Sequence, residues 1–170
     1  KESNNIGVVY IGDGTLGEGV IYETLNFISK KEIPLIIVCE NNLYAQSTPI
    51  ESSLSGSIKL RAESFGIEFR ESETFGSSLK IINEGKNSIN WVRRNKKPLF
   101  HLVNTYRLKA HSKGDDDRDT NEIKSYEEKD FLNILKQSDE KYFEKIYSKL
   151  EKEILDFVEI ALEESEKSID

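Results

Sequence analysis

The stretch that most constrains the fold is "GDGTLGEG", positions 12 to 19. It sets four glycines in eight positions between the apolar run "IGVVYI" and the amphipathic run "VIYETLNFISK". Glycine inside a regular element costs roughly 0.5–1 kcal/mol relative to alanine. A cluster of them therefore marks a tight turn or a close approach of something to the main chain. The flanking patterns say what the turn joins. "IGVVYI" (6–11) and "LIIVC" (35–39) are short, branched, continuously apolar runs, suited to strands buried on both faces of a parallel sheet. Between them Val20, Ile21, Thr24, Leu25 and Ile28 share one helical stripe, and Pro34 follows the helix end. The unit is strand-helix-strand, right-handed on general grounds.

Downstream, a polar, serine-rich loop spans 46–57, and a short helix ends near Gly66. A weak strand "IEFR" (67–70) precedes a helix over 76–94 that carries Leu79, Ile82, Ile89 and Val92. Pro98 introduces the strand "LFHLVNTY" (99–106). The expected fold class is α/β: an open, mainly parallel sheet of at least four strands with helices on both faces. His101, Cys39 and Trp91 lie inside these patterns and read as packing residues. After Tyr106 the apolar period stops, so 107–122 reads as an exposed loop, with Asp115, Asp116 and Asp117 as solvated charges. Helices are expected over 126–136 and 139–166. The last aligns Phe143, Ile146, Leu150, Ile154, Phe157 and Leu162 on one face, to pack on the body or on a partner. The expected organisation is an α/β domain over 1–122 and a C-terminal helical extension over 123–170.

Composition excludes some functions. Charged residues make up 32% of the 170, and the net charge of −7 is opposite to the basic footprint of a nucleic-acid binder. The one basic cluster, "RRNKK" at 93–97, reads as a solvated helix end. A single cysteine allows no internal disulfide and fits a reducing compartment. No apolar run approaches the ~20 residues of a membrane span. The expectation is a soluble protein of the cytoplasm or an organelle matrix, binding neither nucleic acid nor membrane. With no methionine and a first strand within five residues of Lys1, the chain also reads as one piece of a longer, N-terminally cut protein.

The glycine junction sits at the C-terminal end of a strand, where open parallel sheets bind ligands, and it leads into a helix whose free N–H groups favour an anion. Phosphate is the natural candidate, yet Asp13 would repel it. A divalent cation resolves the conflict by sitting between carboxylate and phosphate. Magnesium takes oxygen ligands and draws some of them from phosphate and water. "CENNLYAQSTP" (39–49) follows the next strand at the same edge, where Asn41, Asn42 and the Tyr44 carbonyl are oxygen donors.

GDG at 12–14 with NN at 41–42 resembles the thiamine-diphosphate signature, and "GDG…EG…E..N…K.P.I.VCENN.YA.STP" resembles one branch closely. That branch is the alpha subunit of the decarboxylating, thiamine-dependent component of 2-oxo acid dehydrogenase complexes. "TYRLKAHSKGDDDR" (105–118) is similar to the mobile loop of the same family. The resemblance covers nearly the whole chain. It implies that Asp13 and Asn42 bind magnesium by side chain and Tyr44 by its carbonyl. It also implies that Gly12, Gly14 and Thr15 give backbone contacts to the diphosphate of thiamine diphosphate. His111 matches the loop histidine that reaches the cofactor phosphate and the active-site channel, with Arg107 ordering the loop. Ser112 falls where some organellar members are phosphorylated. Glu18, Glu23 and Asn26 resemble helix residues that lie at subunit contacts or support the site.

The implied partners are a beta subunit or beta-like domain that supplies the aminopyrimidine site, a lipoyl-bearing acyltransferase and a 2-oxo acid substrate, in an oligomer. The chain alone is expected to hold about half of a cofactor site and to be inactive. It departs from the family at "SETFG" (72–76), where relatives carry a "DGND"-like turn. Two other classes stay open on the residues: another thiamine enzyme, transketolase-like or biosynthetic, and a non-catalytic module that binds the diphosphate or only a partner.

Overall fold

A computed structural model describes residues 4–112, 114 and 116–167 of the chain. Strand β1 (Gly7–Gly12) leads through a 3-10 turn (Asp13–Gly17) into helix α1 (Gly19–Lys30) and strand β2 (Leu35–Asn41). A two-residue hairpin, β3 (Tyr44–Ala45) with β4 (Thr48–Pro49), and the short helices α2 (Ile50–Ser53) and α3 (Ile58–Glu63) precede strand β5 (Glu68–Glu73). Helix α4 (Ser78–Asn95) and strand β6 (Leu99–Asn104) complete the α/β part. Helices α5 (Thr120–Glu127), α6 (Phe131–Ser138) and α7 (Glu140–Lys167) follow.

The sheet among the described residues has four strands in the order β1-β2-β6-β5, all parallel. Alternation along its strands sends side chains into two cores. Ile37 and Cys39 of β2 and Phe100 and Leu102 of β6 meet Leu16, Ile21, Leu25 and Ile28 of the first crossover and Ala62 of α3. Ile36, Val38 and Leu99 point the other way, onto Ile89, Trp91 and Val92 of α4. Helices thus cover both faces, as the periodicity predicts. Each fully buried Leu, Ile or Phe contributes roughly 1.5–3 kcal/mol.

Several expectations are corrected. Strand β1 is not buried on both faces: it forms a sheet edge, with Val8, Val9 and Tyr10 at 46%, 40% and 67% exposure. The helix begins at Gly19, where the expected stripe starts, and the junction before it is a 3-10 turn opened by Asp13 that the sequence pattern does not specify. The expected loop over 46–57 contains β4, which pairs back to β3, and α2. The single helix expected at 126–136 is two, because Asp130 caps α6 by accepting from the Asn133 N–H. Helix α5 begins at Thr120, capped by Asp119, so the boundary expected at 122 falls inside it.

His101 and Cys39 are buried, and Trp91 packs on the sheet. The α7 stripe packs on the body only near its start, against α6. Leu150, Ile154 and Phe157 remain exposed. No helix among the described residues is long and apolar enough to cross a membrane.

Candidate functional site

At the C-terminal ends of β1 and β2 the 3-10 turn meets the loop after "NN". Asp13 is 2% exposed. Its Oδ1 accepts from the Gly14 N–H at 2.9 Å, whereas its Oδ2 is buried with no hydrogen-bond partner among the described residues. Burial pushes the Asp13 carboxyl above its ordinary range, and backbone N–H donors, Gly14 foremost, only partly offset this. A buried carboxylate with one idle oxygen lacks a counter-charge.

The facing loop is built from unusual backbone. Leu43 and Gln46 adopt left-handed conformations, with φ of 71° and 59°. Such geometry costs about 1–2 kcal/mol at a non-glycine residue and marks sites where shape serves function. Asn42 Oδ1 accepts from the Tyr44 N–H at 3.0 Å, which closes an Asx turn, and Leu43 C=O accepts from the Ile50 N–H at 2.8 Å. Asn41 Nδ2 donates to Asn104 Oδ1 at 2.8 Å, and Asn41 Oδ1 is a second buried acceptor with no partner.

Gly14 joins the two loops, because a Cβ there would lie 2.6 Å from Ala45 Cβ. Gly12 is different. Its φ of −84° suits any residue, and a Cβ there would meet nothing within 4 Å. Thr15 uses its carbonyl to accept from the Glu18 N–H. The burial around Asp13 also reaches Cys39, whose thiol is pushed up to about 12 by desolvation, with Asp13 adding repulsion; it is inert.

The segment after β6 carries Arg107 and His111. Arg107 donates to the Gln46 carbonyl at 2.7 Å, which ties this segment to the Asn42–Gln46 loop. His111 is exposed, its Nδ1 3.1 Å from Ser112 Oγ. The organiser of the segment is Arg118, which sequence reasoning missed. Arg118 is 8% exposed and donates to the carbonyls of Arg107, at 2.6 Å, and Lys109, at 3.1 Å. It forms a two-pronged pair with Asp116 at 2.6 and 2.7 Å.

Asp116 is thus no mere solvated charge: its carboxyl is held below the usual range by the Arg118 hydrogen bonds. Asp117 is exposed, as expected, and Asp115 lies outside the described residues. The Arg118 guanidinium also lies over the rings of Tyr44 (5.5 Å) and Tyr106 (5.2 Å). Both phenols donate to Glu122 at 2.9 Å, and burial pushes the Tyr106 hydroxyl up to about 12. Arg118 and Glu122 therefore link the His111 segment to Tyr44. Both stand in an aperiodic polar stretch, so their only sequence signal is the charge run itself.

Asp13, Gly14, Asn42 and Tyr44 are brought to one place, and Arg107 reaches it through Gln46. No cluster of three or more His, Cys, Asp or Glu side chains suited to a metal occurs among the described residues. A cation here would have one carboxylate, with amide and carbonyl oxygens completing its protein ligands.

Comparison with known proteins adds the lineage. The family described as "Dehydrogenase E1 component" matches residues 1–169. The chain is 31% identical to the pyruvate dehydrogenase E1 component subunit alpha of Rickettsia felis over 172 residues, which cover 98% of this chain and 52% of that protein. It is 31% identical to the mitochondrial 2-oxoisovalerate dehydrogenase subunit alpha of Caenorhabditis elegans over 134 residues, covering 76% and 31%. The chain spans about half the length of the Rickettsia relatives it matches. Among solved structures it resembles transketolase from Campylobacter jejuni, with a TM-score of 0.50 and 20% identity over 59% of this chain and 15% of that one. Transketolase from Leishmania mexicana gives a TM-score of 0.50 at 16% identity, covering 78% and 26%. These two likenesses concern the fold alone.

Proposed function

The chain belongs to the dehydrogenase E1 component family, and from that premise we propose that it holds the diphosphate and magnesium end of thiamine diphosphate in a 2-oxo acid dehydrogenase of the alpha-subunit type. The observation that carries this reading is Asp13: a buried carboxylate whose Oδ2 has no partner, set against the Asn42–Tyr44 turn. A divalent cation supplies the counter-charge that the described residues do not. Asn42 Oδ1 keeps a second lone pair beyond its Asx bond, and the Tyr44 carbonyl completes an all-oxygen set of the kind magnesium prefers. Gly12, Gly14 and Thr15 offer backbone to the diphosphate, and of the two glycines among them Gly12 is the one that neither its φ nor packing among the described residues calls for.

Thiamine diphosphate, when bound, supplies the chemistry that decarboxylates a 2-oxo acid and passes the acyl group to a lipoyl arm. The residues of this chain anchor and orient it, so their contribution is positioning. In this reading His111, on the segment that Arg107 and Arg118 tie down, serves the cofactor phosphate and the incoming lipoyl group; the tie of Arg107 to the Gln46 carbonyl supports it. A beta partner provides the aminopyrimidine half of the site, and the exposed stripe of α7 is available for subunit contact.

The test is calorimetric titration of the assembled protein with thiamine diphosphate, with and without magnesium. Magnesium-dependent binding is expected in the parent and is lost in Asp13→Asn. Equal affinity in the two proteins sinks the assignment.

A further inference from the structure

Strand β5 is the sheet edge opposite β1, three strand spacings or about 14 Å from it. Beside β5, α4 presents Asn87, Trp91 and Arg94, spaced i, i+4 and i+7, with Asn90 next to them, so all four fall on one helix face. With Arg70 of β5 they line a cleft of about 450 Å3. A smaller cleft of about 220 Å3 adjoins it, sharing Arg70 and Asn87 and reaching His101, with the carboxylates of Glu71 and Glu84 in its own lining.

The larger cleft is positively charged in a chain whose net charge is −7. Arg70 makes one long ion pair, its Nε 3.9 Å from Glu68 Oε1 between partly exposed side chains, a geometry worth little, and Arg94 forms no ion pair among the described residues. Arginine in the last turn of a helix opposes the helix dipole. Arg93 in the same turn meets that need without lining the cleft. The Arg70 guanidinium also lies over the Trp91 ring, 5.9 Å from its centroid, so the charged fork and the indole form one wall of the cleft.

We propose that this cleft binds a phosphate monoester of a flat ring compound, its phosphate between Arg70 and Arg94 and its ring against Trp91. Two guanidinium forks and the Asn87 and Asn90 amides present more donors than the two oxygens of a carboxylate accept, whereas the three oxygens of a doubly charged phosphate match them. The volume suits one ring with its phosphate, at the small end of ligand pockets.

Trp91 is the sole tryptophan, so its indole N–H resonance reports on this cleft. The full chain, 15N-labelled at tryptophan, is titrated with phenyl phosphate, inorganic phosphate and benzoate. A saturable shift with phenyl phosphate is expected. Binding of inorganic phosphate and of benzoate should each be weaker by about tenfold or more, for want of the ring or of the third oxygen. Arg70→Gln and Arg94→Gln should each weaken phenyl phosphate by about tenfold with unfolding midpoints unchanged, and Asp13→Asn should leave its binding intact. Absence of a saturable shift, retention of full affinity in both arginine variants, or inorganic phosphate binding as tightly as phenyl phosphate overturns the proposal.

Discussion

Gly14 and Ala45 pack so closely that a methyl group on Gly14 would lie 2.6 Å from the Ala45 Cβ. The glycine junction after β1 and the loop after β2 are therefore one structure in two pieces. Glycine at 14 is demanded by this approach and not by its own backbone angle, since its φ is not positive.

Gly14→Ala should accordingly destabilise the protein by about 1–3 kcal/mol, the usual cost of overpacking. Adding Ala45→Gly removes the opposing methyl and should restore most of the loss. Urea unfolding of the two single variants and the double variant checks this, and additivity of the single effects rules the contact out as the cause.

Asp13 should carry a stability penalty that its function requires. Its folded pKa is raised by burial, so its contribution to stability is fully present below the unfolded value of about 3.8 and is lost as pH rises through the folded value. Near neutral pH, without metal or cofactor, Asp13→Asn should melt at a higher temperature than the parent. With magnesium and thiamine diphosphate added the order should reverse, because only the parent gains from binding. If Asp13→Asn melts below the parent when both are free of cofactor, the carboxylate has a structural partner.

Both halves of this arrangement were legible in the sequence for different reasons. The apolar runs of β2 and β6 and the stripe of α1 have strong periods, and their packing follows from them. GDG and NN were legible because an aspartate among glycines poses an electrostatic question that the next strand end answers. The 3-10 turn and the two-residue hairpin have no period, since left-handed Leu43 and Gln46 are held by tertiary contacts that no local propensity anticipates. The exposure of β1 was illegible too: a branched apolar run looks the same at an edge as in a centre. The break between α5 and α6 could have been found, because "KDFLN" places an N-cap aspartate before an apolar run.

His101 should make stability depend on pH with the opposite sign to Asp13. Its ring is held between Ser72 Oγ (2.8 Å) and Ser88 Oγ (3.1 Å), joining β5, β6 and α4. Burial lowers its pKa below 6.5, with Glu84 opposing and Arg70 reinforcing the shift. The folded state therefore rejects a proton that the unfolded chain accepts, and the stabilisation is present above the unfolded value and lost as pH falls below it. Between roughly pH 7.5 and pH 5.5 the parent should lose more stability than His101→Gln. Parallel pH slopes in urea unfolding would mean that the ring is not protonated on unfolding.

Arg118 should be what keeps the His111 segment in place. The described residues of the segment form no helix or strand, yet its carbonyls at Arg107 and Lys109 accept from a buried guanidinium that Asp116, Tyr44 and Tyr106 hold from other sides. Lysine in its place keeps the charge and loses the fork, so it cannot satisfy both carbonyls and the carboxylate at once. Trypsin cuts after Arg107 and Lys109, the two residues whose carbonyls Arg118 engages. Arg118→Lys should therefore speed cleavage at both by about tenfold, since charge-assisted hydrogen bonds are worth roughly 1.5–3 kcal/mol each and local opening governs the rate. His111→Ala, which leaves that network intact, should cut at the parent rate in the absence of cofactor. Saturating thiamine diphosphate and magnesium should slow cleavage in the parent and less so in Arg118→Lys, because ordering of the segment would then have to be supplied by the cofactor alone. Equal cleavage rates in parent and Arg118→Lys would mean that the segment is held by its ties to Gln46 and not by the guanidinium.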